Sequence, residues 1–198
     1  MEELIWFSMP GAVIAAAIAA TWPSTVDSEA KLLMWVVLVP VIGFIVHQLY
    51  RLLFETTGGY ARESRTVLQY ISNVLAPREN LTVPGPIKAF LIWEITFYSD
   101  DFPESFREHD RRMWHYILSF WSITLSATLS MSLCLIGYLV MSRSNSILLV
   151  AGAELIVAIV FYFKGRSSYQ SLVRQETAMA HNHESIFLAT LRKLEDLK

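Results

Sequence analysis

MWHYILSFWSITLSATLSMSLCLIGYLVMSRSNSILLVAGAELIVAIVFYF, residues 113–163, decides the fold. Its only Asp, Glu, Lys or Arg residues are Arg143 and Glu154, and Arg143 falls in the polar break that separates two apolar runs, Met113 to Met141 and Ile147 to Phe163. A helix rises 1.5 Å per residue, so about 20 apolar residues cross a hydrocarbon core ~30 Å thick, with ~17 as the lower limit. The first run exceeds this requirement and the second just meets it. A soluble chain would instead hide its apolar residues in stripes of period 2 or 3.6. The stretch reads as two membrane helices joined by a short loop.

Upstream lies a matching pair, Leu4 to Trp22, stopped by Pro23, and Leu32 to Phe54. The alanines from Ala15 to Ala20 are like the small-residue end of a signal peptide, but the chain opens Met1-Glu2-Glu3, without the positive start that such a peptide needs. The first run is therefore expected to stay as a membrane helix. Of 198 residues, 54% are hydrophobic and 17% charged, against roughly a quarter charged in soluble domains. The net charge of −2 gives no global attraction to nucleic acid or to an anionic surface. The single cysteine, Cys134, lies in an apolar run, which excludes a disulfide framework. No Cys/His cluster has zinc or haem spacing, and no nucleophile–base set or phosphate loop appears, so neither metal, cofactor nor enzymatic activity is expected.

Orientation follows from the basic residues. Of 16 Lys and Arg, only Lys31 and Arg143 fall in the hairpin tips; the rest flank the other ends of the spans. The positive-inside rule then puts both termini and the centre in the cytoplasm, with Trp6, Trp22, Trp35 and Trp114 at the interfaces. The expected architecture is an all-α, multi-pass protein of a cell's inner membrane. It comprises a first transmembrane hairpin (1–54), a cytoplasmic helical segment (55–112), a second hairpin (113–163) and a C-terminal cytoplasmic helix (164–198).

In the central segment, Gly58-Gly59 ends the second span, and Tyr60 to Leu75 reads as an amphipathic helix with Val67, Tyr70, Ile71 and Leu75 on one stripe. Ala76 to Pro86 reads as a linker, and Ile87 to Tyr98 as an apolar helix too short to span. Asp101-Phe102-Pro103-Glu104 reads as a helix start with Asp101 as N-cap, the helix running on into the third span. Asp100, Asp101, Glu104, Glu108 and Asp110 do not follow the ligand order of an EF-hand and are expected to form a solvated acidic face. In the tail, Leu172, Met179 and Ile186 repeat every seven residues, as do Val173, Ala180, Phe187 and Leu194. This seam either packs on the central segment or joins subunits as a coiled coil.

Glu154 carries the strongest chemical signal, because a charge at the bilayer centre costs at least ~2.5–3.5 kcal/mol and must face protein or water. It is either an ion- or proton-handling carboxylate or a protonated acid bonding helices together. The third span supplies Ser119, Ser122, Ser126 and Ser130 on one stripe and Thr124, Thr128 and Ser132 nearly opposite. Seven hydroxyls suggest protein or water on both faces, although each can also bond its own preceding carbonyl. His47, with Pro40 and Gly43 above it in the second span, could bracket a polar path with Glu154, and His115 could extend it.

The order hairpin, cytoplasmic segment, hairpin, helical tail resembles the membrane layout of MotA-type stator channels; the third span here is serine-rich where that family is rich in glycine and threonine. Arg174 and His181 fit the loose Arg–His spacing of HEPN-type ribonucleases, which implies a membrane-anchored nuclease effector. The leading expectation is an oligomeric channel or pore-like protein. Spans three and four would line its path, and the cytoplasmic helices would serve assembly or gating. The alternative is a non-enzymatic scaffold or accessory subunit that binds a cytoplasmic protein. Partners on this reading are the lipid bilayer, further copies of the chain and a cytoplasmic protein, with no nucleic acid.

Overall fold

The computed structural model describes residues 2–56, 65–78, 86–140 and 143–195, with the side chains of some helix-end residues left out. Every regular element among the described residues is helical: α1 (Glu2–Thr21), a 3-10 turn (Pro23–Thr25), α2 (Glu29–Thr56), α3 (Arg65–Tyr70), a π turn (Ile71–Leu75), α4 (Ala76–Arg78), α5 (Pro86–Phe97), α6 (Glu104–Val140), α7 (Asn145–Asn182) and α8 (Glu184–Glu195). Among them α2, α6 and α7 are long and apolar enough to cross a membrane, whereas the described side chains of α1, Ser8–Thr21, form a shorter apolar stretch. These three helices point to a membrane protein. Leu33, Val36 and Val37 on α2, and Leu149 and Ile156 on α7, are exposed, a distribution that suits lipid rather than water around the helices.

The chain divides into two compact units, Met1–Leu53 with His115–Ser167, and Phe54–Trp114 with Ser168–Lys198. In the first, α1 and α2 approach at Gly11, where an added Cβ would stand 1.8 Å from the Val39 carbonyl oxygen and 2.8 Å from the Gly43 nitrogen. Only a residue without a side chain permits that backbone contact. Thr21 presses on Gly137 in the same way, its Cγ2 2.3 Å from where a Cβ would stand. Ala17, Cys134, Ile147 and Ala151 form the apolar core here.

The second unit has an aromatic core. Trp93 stacks on Phe187 at 5.6 Å between centroids and 13° between planes, while Phe97 and Phe102 lie 5.4 Å apart. Val67, Ile71, Leu75, Ala89, Ala180 and Leu191 complete the cluster. A buried hydroxyl pair joins α5 to α8: Thr96 Oγ1 donates to Thr190 Oγ1 at 3.1 Å, which donates in turn to the Ile186 carbonyl.

Several expectations shift here. The linker begins later than Ala76, because helix continues through Pro77 to Arg78. The π turn ahead of it carries the Ala76 amide back to the Ile71 carbonyl. That wider turn relieves the clash a proline ring makes with the carbonyl four residues behind it. Asp101 is not the N-cap of α6. Phe102 is drawn into the core, its amide bonding the Ser99 carbonyl at 3.1 Å, and the helix starts from Pro103, whose carbonyl accepts from Arg107. Gly58-Gly59 and the start of the Tyr60 to Leu75 helix lie outside the described residues.

Candidate functional site

The hydroxyls of α6 separate into two physically different sets. Thr124, Thr128 and Ser132 each donate to the carbonyl four residues back, at 2.9 Å in every case. A hydroxyl satisfied this way presents little polarity outward, and Thr128 and Ser132 are exposed. The opposite stripe turns inward, with Ser122, Ser126 and Ser130 all 0% exposed and Ser119 buried. Ser119 and Ser122 donate to the carbonyls of His115 and Leu118. The Ser126 and Ser130 hydroxyls have no protein partner.

Glu154 is 5% exposed, and its Oε2 is likewise buried without a hydrogen bond. It shares a face of α7 with the buried Ile147, Ala151 and Ala158, positions spaced four, three and four residues apart. Small residues on that stripe let a neighbouring backbone come close. His47 is buried on α2 beside Val46, and its Nδ1 lies 3.0 Å from Ser122 Oγ. Because Ser122 already donates to Leu118, its oxygen accepts from His47, which makes Nδ1 the protonated nitrogen and leaves Nε2 as the basic one. Buried polar atoms thus run from His47 through Ser122, Ser126 and Ser130, with Glu154 in the same unit. His115 is exposed.

The second unit holds a feature that sequence reasoning missed. Asp110, assigned to a solvated acidic face, is only 7% exposed; its side chain is hydrogen-bonded to that of Glu176, itself 5% exposed, while Asp110 Oδ1 has no partner. Burial pushes the Asp110 carboxyl up to about 6, against the opposing pull of the Glu176 hydrogen bond and of His109. Two carboxyls this close in a low-dielectric site share a proton rather than both ionise. Beside them His109 Nε2 meets Gln175 Oε1 at 3.0 Å. Asp100, Asp101, Glu104 and Glu108 are exposed as expected. The missed signal was periodicity: Phe106, Asp110, Trp114 and Ile117 follow helical spacing, as do Leu172, Glu176 and Ala180.

A second cluster gathers Tyr70, Arg78, His181 and Glu184. The Tyr70 hydroxyl donates to Glu184 and lies 2.7 Å from His181 Nδ1, and Arg78 clasps both Glu184 oxygens at 3.1 and 3.2 Å. Burial first, then Glu184, pushes the Tyr70 phenol up to about 12; hydrogen bonding from Tyr70 holds Glu184 below the usual carboxylate range. His181, paired by spacing with the exposed Arg174, is bonded here to Tyr70 and Glu184. Of the tail seam, Leu172, Ala180 and Phe187 are buried, and Val173, Met179 and Ile186 are half-buried; the Leu194 side chain lies outside the described residues. Phe187 and Ala180 belong to the unit's own core. No group of three or more His, Cys, Asp or Glu among the described residues could hold a metal ion. No protein-family model matches the chain, and no curated protein or solved structure shows significant similarity to it.

Proposed function

We propose that the chain is a multi-pass membrane protein, with α1, α2, α6 and α7 as its spans and its termini in the cytoplasm, and that it conducts protons along the buried row from Glu154 to His47. The observation that carries this reading is the set of three orphaned buried atoms, Ser126 Oγ, Ser130 Oγ and Glu154 Oε2. Each buried polar group left without a partner costs about 1–3 kcal/mol. Every other span hydroxyl named above avoids that cost by bonding a carbonyl. Groups that do not avoid it take water or ions as partners. Serines four residues apart on one helix stand about 5–6 Å from each other, a gap that one bridging water closes.

In this mechanism Glu154 takes up a proton from the outer side. The serine hydroxyls pass protons inward, each accepting one and releasing another. Once the His47 proton has shifted from Nδ1 to Nε2, Ser122 delivers to Nδ1, and the imidazolium releases its Nε2 proton inward, which restores the starting tautomer. One proton enters and one leaves per cycle, with no net change in the row. His47 suits the inner end because an imidazole can carry a proton on either of its two nitrogens. The path runs within one subunit. Assembly into a homo-oligomer is a separate proposal that the tail heptads do not carry, because Ala180 and Phe187 pack within the second unit's own core; the mass of the complex tests it.

The test is proton flux into liposomes that hold a pH-sensitive dye, driven by a potassium diffusion potential. The wild-type protein is expected to dissipate the gradient, and Glu154→Gln to cut the rate at least tenfold with assembly intact. Equal rates for wild type and Glu154→Gln would remove Glu154 from the mechanism. No flux above empty liposomes would sink the conduction reading and favour the scaffold alternative, for which the groove on the second unit lined by Ile95, Asp101, Ile186 and Lys193 offers a docking face.

A further inference from the structure

At the inner ends of the three long helices, Tyr50, Leu53, Trp121, Thr124, Leu125, Thr128, Tyr162 and Arg166 enclose a groove of about 510 Å³. Its two ends differ in character. Gly165 backs onto the Trp121 indole, whose Nε1 lies 2.6 Å from where a Cβ would stand, so Arg166 belongs to the Trp121 end. From Trp121 to Thr128 the groove follows α6 for seven residues, roughly 10 Å at helical rise, most of one leaflet's hydrocarbon depth. At its far end the Thr128 hydroxyl already donates its hydrogen bond to the Thr124 carbonyl, and Leu125 adds apolar surface. The near end carries the Tyr50 and Trp121 rings, 6.0 Å apart, and a guanidinium that forms no ion pair among the described residues. Aromatic residues with a cation at one end and a dry slot at the other match a phospholipid in both length and polarity.

We propose that this groove is a binding site for an anionic phospholipid of the cytoplasmic leaflet, with one acyl chain along Leu125 and Thr128 and the headgroup phosphate held by Arg166. The site rests on the membrane-spanning reading but not on proton conduction. Arginine suits the role because its planar fork donates two parallel bonds to a phosphate. The cytoplasmic leaflet supplies the negative lipid. Thr124 and Thr128, members of the stripe expected from sequence to face protein or water, line this slot. Gly165 has a defined part: any side chain there would drive Trp121 off the α7 backbone and deform the groove's mouth.

Native mass spectrometry tests the proposal on the full chain released from nanodiscs of equal phosphatidylglycerol and phosphatidylcholine. Wild type is expected to retain phosphatidylglycerol over phosphatidylcholine, and Arg166→Gln to lower that retention roughly tenfold, the loss expected for a charge-assisted bond. Thr128→Trp, which fills the deep end from an exposed position, is expected to lower retention of both lipids. Lys164→Gln removes the same charge two residues away and is expected to change nothing. Equal retention of the two lipids by wild type, or equal losses from Lys164→Gln and Arg166→Gln, would overturn the site in favour of unspecific surface attraction. Competition by inorganic phosphate alone would overturn it in favour of a free anion. Retention of the chain in alkali-washed membranes checks the spanning reading separately.

Discussion

Replacing Asp110 by Asn tests the buried carboxyl pair of the second unit, with a sign that follows from its burial. The Asp110 carboxyl has its pKa displaced from 3.8 to about 6 by burial, opposed by Glu176 and His109. Below pH 4 the folded and unfolded chains both hold the proton, and the pair contributes its full stability. Between about pH 4 and 6 the unfolded carboxyl has lost its proton while the folded one keeps it, so the folded state binds more protons and stability falls as pH rises. Above pH 6 the penalty is complete. A displacement of about two pH units corresponds to roughly 3 kcal/mol, or about a hundredfold in the local opening equilibrium. Asparagine keeps the shape and can donate to Glu176 without titrating. Hydrogen exchange of peptides covering residues 104–114 and 168–182, corrected for intrinsic rates, should show wild-type protection falling about a hundredfold from pH 4 to pH 7.5. Asp110→Asn should hold its protection across that range. Wild-type protection that stays flat, or an Asn variant that loses as much, would refute the shared proton.

Gly11→Ala should destabilise the α1–α2 contact by about 1–3 kcal/mol, because the methyl group meets the Val39 carbonyl and the two helices must part; thermal unfolding in detergent measures this. Phe187→Ala should cost roughly 3–5 kcal/mol, since the ring is fully buried and stacked on Trp93; faster proteolysis of the tail would report it. The Tyr70 phenol, pushed up to about 12, should stay protonated at pH 11, so that ultraviolet titrations of wild type and Tyr70→Phe coincide up to that pH and separate above it.

The elements legible in the sequence were those fixed by length and hydropathy. Long apolar runs with few charges leave little freedom, and α2, α6 and α7 follow directly. Where tertiary burial overrides local preference, the reading drifted. Asp101 has the side chain of an N-cap, but burial of Phe102 sets the corner and moves the helix start to Pro103. Asp110 sits among four exposed acids, and only the apolar residues one turn to either side, Phe106 and Trp114, betray that it faces inward. His47 and Ser122 are 75 residues apart, and no periodicity pairs them.

The two hydroxyl stripes of α6 show why composition alone could not separate a polar path from inert helix. Both stripes hold Ser or Thr at helical spacing, and each hydroxyl has a carbonyl four residues back within reach. Burial and bonding separate them: one stripe is satisfied locally, whereas two members of the other are fully enclosed and bonded to nothing in the protein. The same distinction bears on Glu154. As a protonated acid serving only to join helices, it would be expected to meet a neighbouring hydroxyl and to satisfy that hydroxyl in return. Instead Glu154 Oε2 and the Ser126 and Ser130 hydroxyls are all left over. Helix adhesion alone leaves these three costs unmet. On the proposed reading, a row kept polar for a mobile proton would meet all of them, because its members would have to exchange partners.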